Sequence, residues 1–231
     1  MEKLLGLMRA SFTELDKGLK GELSMNPRME ALVVCFQLDQ QFDGWSKFNY
    51  ISQKGLAQWT FDLQSRCKQL DAWQAEMQVP KVMWVPGTFN PQAFINAVIQ
   101  STARKNVLPL DKMTTNTDVL KKFADEIAAA PRDGSYITGL YIEGGRWDMG
   151  ANCIKDQELK KMNPLMPVIY LKPITVDKKD LKDMYECPVY ITQARGSQPP
   201  AGTFVFAATL KTKDRPAMWI KAGVAMILSL R

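Results

Sequence analysis

The chain contains no histidine. That excludes Ser–His–Asp and Cys–His catalytic arrangements within it, because both need an imidazole as general base. The dipeptide Gly-Lys is also missing from its 231 residues. There is therefore no G-x-x-x-x-G-K-[ST] loop, in which glycine amides cradle phosphate and the lysine reaches the terminal oxygens. A G-x-G-x-x-G dinucleotide turn is absent as well. Cysteine is scarce: Cys35, Cys67, Cys153 and Cys187 stand far apart, with no C-x-x-C pair. Zinc sites need closely spaced thiolates or histidines, so free reduced thiols of an intracellular protein are expected here, not a metal site or a disulfide scaffold. Cys35 and Cys67 fall on apolar helix faces and are expected to be inert core thiols. No apolar run approaches the roughly 20 residues of a membrane span. The opening stretch, MEKLLGLMRASFTELDKGLK, is charged at every turn and lacks the apolar core of a signal peptide, so neither export nor anchoring is expected.

What remains is ordinary globular composition, with 46% hydrophobic and 23% charged residues. The net charge is +6, spread thinly. Residues 1–110 carry 12 basic and 10 acidic side chains, and residues 111–231 carry 18 and 14. Nucleic-acid binders concentrate charge on one face, whereas the densest cluster here, DKKDLKD at 177–183, is half acidic. Nucleic acid is not an expected partner.

Periodicity divides the sequence. Leu4, Leu5, Met8, Phe12, Leu15 and Leu19 recur at spacings of three and four and predict a first helix, stopped near Gly21. NPRMEALVVCFQLDQQFDGWSK predicts a second, with Asn26 as cap and Pro27 at the first helical position. A third is predicted over 55–77, with a stripe of Leu56, Trp59, Leu63, Cys67, Leu70 and Trp73. The fourth, NPQAFINAVIQSTARKN, starts at Asn90-Pro91 and ends with Arg104 and Lys105, where positive charge suits the helix dipole. VPKVMWVPGTF, between the third and fourth, is expected to be a loop or short strand. After Pro109 the texture changes. DKMTTNTDV suggests a strand and DVLKKFADEIAAAP a short helix. Then come the β-like runs YITGLYIE, MPVIYLKP, CPVYITQ, TFVFAATL and GVAMILSL. Helices followed by strands imply an α+β fold: a helical part, 1–110, then an antiparallel sheet or small barrel, 111–231.

Chemistry is thin. Glu143 and Asp148 are the one carboxylate pair beside glycine-rich backbone, and glycosidases do use two carboxylates. The plainer expectation is that Glu143 ends a strand, that Asp148 follows a turn, and that either pairs with Arg146 or caps a backbone amide. Trp84 and Trp147 could stack a base or a sugar beside an arginine, but are expected to plug a core where helices meet the sheet. The 13 methionines either fill core gaps or face an adaptable partner surface.

At GLYIEGGRWD, Gly139 to Asp148, the sequence resembles the C-terminal domain of dynein heavy chains, where G-L-[FY]-[LI]-E-G-[AG]-R-W-D is characteristic. The resemblance continues in order. QVPKVMWVPGTFNPQAFINAVIQSTARKN, MPVIYLKP, YECPVY and FVFAATLKTKDRPAMWIKAGVAMILSL are similar to family segments, as is LLGLMRASFTELDKGLKG at the start. RWD, NPQAF and MPVIYLKP resemble the axonemal branch. Two stretches depart from the pattern: QARGSQPPAG is shorter than its counterpart, and DVLKKFADEIAAAPRD is unlike the family's acidic linker. The resemblance implies a fragment of a much longer heavy chain, with helices followed by an incomplete β-barrel lying across one face of an AAA+ ring. It implies no nucleotide site or cofactor in this segment, a role in bracing the ring and tuning microtubule motility, and a place in the cytoplasm and the axoneme of a cilium or flagellum. The implied partners are the ring modules of the same heavy chain. Microtubules would be met only through the rest of the motor, with no membrane partner. The structural and interface candidates are Trp84, Phe89, Pro91, Gly144, Arg146, Trp147, Asp148 and Trp219. The rival expectation is a free-standing protein-interaction adaptor.

Overall fold

The computed structural model describes residues 2–50, 52, 54–76, 79–161, 165–191 and 203–228. QARGSQPPAG lies outside the described residues. The protein divides into two compact units, one ending at Lys68 and one beginning at Gln69. That boundary falls within a helix, whereas the change from helix-rich to strand-rich texture comes later, near residue 110.

The first unit contains α1 (Glu2–Leu19), α2 (Pro27–Gln37), a 3-10 turn (Asp43–Phe48) and the beginning of α3 (Leu56–Glu76). α1 buries Leu4, Met8, Ser11 and Leu15, whose steps of four, three and four keep one arc of a 3.6-residue helix facing inward. Phe12 and Leu19 were expected on this stripe, yet they sit one position further round and are 40% and 70% exposed. The helix stops as expected, with the Gly21 amide donating to the Gly18 carbonyl at 3.0 Å and Glu22 to Lys17 at 2.9 Å. α2 starts where predicted: the Asn26 side chain accepts from the Met29 amide at 2.9 Å, and Pro27 loses nothing by lacking a donor there. It ends far sooner than expected, because Asp39 takes a left-handed φ of 52° and the backbone turns away. Trp45 and Trp59 stack at 5.9 Å in the core of this unit. Their indole N–H groups donate to Ser11 Oγ and Asn49 Oδ1, so both rings are buried without an unmet donor.

The second unit begins with the last turns of α3 and adds β1 (Val82–Trp84), α4 (Pro91–Lys105), β2 (Met113–Val119), β3 (Ser135–Thr138), β4 (Tyr141–Glu143), β5 (Arg146–Asp148), β6 (Cys153–Lys155), β7 (Ile169–Thr175), β8 (Met184–Tyr190), β9 (Phe204–Lys211), α5 (Pro216–Lys221) and β10 (Ala225–Ile227). One sheet runs β1-β3-β7-β2, another β4-β10-β8-β9, and β5-β6 is a separate hairpin. The architecture is the expected α+β, and among the described residues the sheets do not close into a barrel. Two pairings are parallel, β1 with β3 and β10 with β8, where an antiparallel sheet was expected.

The two sheets meet through a side chain. Thr117 on β2 donates its hydroxyl to the Thr209 carbonyl on β9 at 3.0 Å, and the Thr209 amide donates back at 2.6 Å. Pro173 and Pro188 sit just beyond the residues where β7 and β8 are paired on both sides, so neither leaves a gap in a central ladder. α4 lies against β2, β7 and β9 and buries Phe94, Ile95 and Val98.

Two further expectations are corrected. DVLKKFADEIAAAP forms no helix beyond a 3-10 turn at Ala124–Glu126. The backbone is instead held out of a helix, with Leu120 donating to Val168 and Val168 to Lys122; tertiary backbone bonds override a modest helical propensity. YITGLYIE is not one strand but two in different sheets, β3 and β4, parted at Gly139 with φ 92°.

Candidate functional site

The corner at Gly144–Asp148 is built by a reversal of the backbone. Gly144 adopts φ 76°, and a Cβ there would come within 3.2 Å of the Ala222 carbonyl and 3.4 Å of Val224 Cα. Only glycine fits both the left-handed backbone and the close approach. β5 then pairs with β6, setting Arg146 opposite Lys155, Trp147 opposite Ile154 and Asp148 opposite Cys153. Alternation turns Trp147 into the core and leaves Arg146 and Asp148 half-buried on the other face.

That face is a charge network. Asp148 accepts from Lys155 at 2.6 Å and from the Ala151 amide at 2.8 Å. The lysine first, then the amide, hold its carboxyl down to about 2. Arg146 bridges outward, 3.7 Å from Asp148 and 3.4 Å from Glu158. Lys161 pairs with Glu158, and its hydrogen bond and charge hold that carboxyl below the usual range. A carboxylate so firmly ionised is a poor proton donor at neutral pH. Asp148 both pairs and caps, the plainer of its two expected roles. Glu143 lies exposed on the far side of the turn, opposite Ala225 in the ladder.

The other candidates fall into two places. Trp219 on α5 is fully buried and donates its indole N–H to Thr212 Oγ1 at 2.8 Å. Its carbonyl accepts from Val224, in the segment that presses on Gly144. Trp147 and Trp219 thus belong to one buried cluster. Trp84, Phe89 and Pro91 lie together along the sequence between β1 and α4. Trp84 is half-buried, with its ring against Gly139 and Gly87. Pro91 is the buried first residue of α4, while Phe89 is 45% exposed.

Sequence reasoning missed two groups. Gln69 on α3 reaches β1 with both halves of its amide, accepting from the Trp84 N–H and donating to the Trp84 carbonyl, each at 3.0 Å. In the first unit, Asp62 is buried with 4% of its side chain exposed. It accepts from Tyr50 at 2.7 Å, Lys54 at 2.8 Å and Arg66 at 2.6 Å. The Arg66 guanidinium also lies 4.2 Å from the Tyr50 ring centroid. Burial opposes ionisation of Asp62, but its three hydrogen bonds outweigh that and hold the carboxyl below its usual value. The four-residue step from Asp62 to Arg66 was the available signal; that both would be buried was not legible from it. All four cysteines are free, and Cys35 and Cys67 are only half-buried.

These features define an α+β module of helices and open mixed sheets, with its most conspicuous corner tied into a hairpin by ion pairs. A family model described as the C-terminal domain of the dynein heavy chain matches residues 1–228. The protein belongs to this family. It is 48% identical over its full length to the ciliary dynein beta chain of Heliocidaris crassispina. It is 46% identical over 99% of its length to dynein axonemal heavy chain 11 of Sus scrofa. The identity is 43% over the full length to the flagellar outer-arm dynein beta chain of Chlamydomonas reinhardtii. It spans about 5% of the length of each of these relatives.

Proposed function

We propose that this protein is the C-terminal domain of an axonemal dynein heavy chain, working in a cilium or flagellum. In this reading it braces an AAA+ ring formed by the same polypeptide and tunes ATP-driven movement on microtubules. The observation that carries the proposal is identity of 38–48%, sustained over 99–100% of its length, to proteins named as ciliary, axonemal or flagellar outer-arm dyneins. The missing phosphate loop supports a segment that contributes no nucleotide site or cofactor of its own. The bracing surface would include the candidates that remain accessible, Phe89 foremost. Trp84, Pro91, Gly144, Trp147 and Trp219 would hold the frame behind it, and Arg146 and Asp148 the hairpin.

The test is deletion of this segment from the parent motor, followed by single-molecule or gliding motility and nucleotide-binding assays. The expected result is altered velocity or processivity with nucleotide binding by the ring retained. Unchanged motility after clean deletion overturns the tuning role. If a peptide-directed blot for GLYIEGGRWD finds a free protein near 26 kDa and no very large polypeptide, the bracing role falls and a protein-interaction adaptor takes its place.

A further inference from the structure

A cleft of about 280 Å³ opens in the second unit between the end of α3, one side of α4 and the loop at Arg132–Gly134. Its floor is apolar. Trp73 meets Phe94 edge to face at 6.3 Å, and Val79, Ala97 and Val98 complete the wall. Its polar groups gather at one end, the rim formed by Lys105, Arg132 and Asp133. Most of them are already engaged. Thr102 donates its hydroxyl to the Val98 carbonyl at 3.0 Å. Lys105 donates to the Arg132 carbonyl and lies 3.1 Å from Asp133. The Lys105 hydrogen bond holds the Asp133 carboxyl below its usual range, so that pair is charged. The Arg132 side chain makes no hydrogen bond or ion pair with any described residue.

We propose that this cleft binds a small amphipathic monoanion, an aryl or branched-alkyl carboxylate, with its apolar body on Trp73 and Phe94 and its carboxylate on Arg132. Size and lining set the body: small-molecule sites are mostly apolar concavities with a few convergent polar groups, and this volume, just under the lower limit of their range, admits only a small ligand. Charge sets the head. Two cations against one carboxylate leave a single positive charge at the rim, and its guanidinium has the planar fork that matches a carboxylate. A cation would meet that same excess charge, and a neutral ligand would leave the guanidinium unused.

The probes are 3-(2-naphthyl)propionate and its neutral primary amide, titrated into the 231-residue protein by calorimetry and ligand-observed NMR. The acid is expected to bind about tenfold more tightly than the amide, as one charge-assisted hydrogen-bonded contact would give. Arg132→Gln is expected to erase that difference while leaving the amide unaffected. Ala97→Phe, which fills the mouth of the cleft from an exposed position on α4, is expected to abolish both. Both substitutions are at exposed residues, so unchanged far-UV circular dichroism and melting are expected to accompany these losses. Equal binding of acid and amide overturns the proposal, as does acid binding that survives Ala97→Phe, or no binding of either probe at millimolar concentration.

Discussion

At the scale of the residue, one missing methyl group divides a run of β-forming residues into two strands. Gly139 sits at φ 92° between β3 and β4, and a Cβ there would lie 2.5 Å from Trp84 Cδ1 and 2.6 Å from Pro86 Cδ. Neither neighbour is the loose end of a flexible side chain; one is an indole ring and the other a proline ring. Gly139→Ala is therefore expected to cost about 2–4 kcal/mol, adding the left-handed backbone penalty to forced displacement of packed rings. Gly6 provides the contrast. It lies within α1 with nothing within 4 Å of an added Cβ, so Gly6→Ala is expected to gain about 0.5–1 kcal/mol. Urea unfolding followed by circular dichroism measures both, and equal effects of the same sign would show that the close approach at Gly139 is not what constrains it. The glycine was visible in the sequence, but nothing local revealed the tryptophan 55 positions earlier that demands it. The charged corner shows the same division. Arg146, Trp147 and Asp148 stood out together, and Asp148 did pair and cap as expected. Its main partner, Lys155, is set by the hairpin register and was not legible from spacing.

At the scale of the element, what could be predicted follows locality. The starts of α2 and α4 were legible because cap and first turn lie within four residues, and both Asn26 and Asn90 act as expected. Most strands were legible as β-rich runs, but their partners were not. Parallel neighbours such as β1 and β3 are separated by some fifty residues of other structure, and no local pattern encodes that choice. The helix expected over 118–131 failed because two long-range backbone bonds hold its first residues out of a helix. α5 was missed because a six-residue helix is too short to show a period. β1 illustrates how an element is completed from outside its own sheet. It is an end strand, and the Gln69 amide satisfies both backbone groups of Trp84 as a further strand would. Gln69→Leu keeps much of the volume and removes both bonds. It is expected to destabilise by about 1–3 kcal/mol and to speed exchange of the Trp84 amide at least about tenfold, while amides of β7 are unchanged. Unaltered exchange at Trp84 would mean that the glutamine is not what protects that edge.

At the scale of the whole molecule, the titratable groups fix a pH window for stability. With no histidine, nothing with the usual imidazole range near 6.5 contributes. Asp62, Asp133, Asp148, Glu158 and Asp177 all ionise below their usual ranges in the folded protein. Each therefore adds stability that is complete above about pH 4–5 and is lost as pH falls through the folded value. On the other side, burial and then the hydrogen bond to Asp62 raise the Tyr50 phenol well above its ordinary 10. Burial likewise raises Tyr170. Those contributions are present below about pH 10 and fall away above it. The Tyr50–Asp62–Arg66 group links the two limbs, so it can test them separately. Asp62→Asn leaves Arg66 and Lys54 without their partner and is expected to cost about 3–5 kcal/mol at neutral pH. The gap from the parent protein should narrow as pH falls below the usual carboxylate range, where Asp62 itself becomes protonated. Tyr50→Phe retains the ion pairs and should leave the acid limb in place while flattening the loss above about pH 10. The indole N–H resonances of Trp45 and Trp59, both tied into the same core, report on this unit during urea titration at each pH. A constant gap for Asp62→Asn from neutral to acid pH, together with an unchanged alkaline limb in Tyr50→Phe, would show that this buried cluster contributes packing alone and that its charges do not set the window.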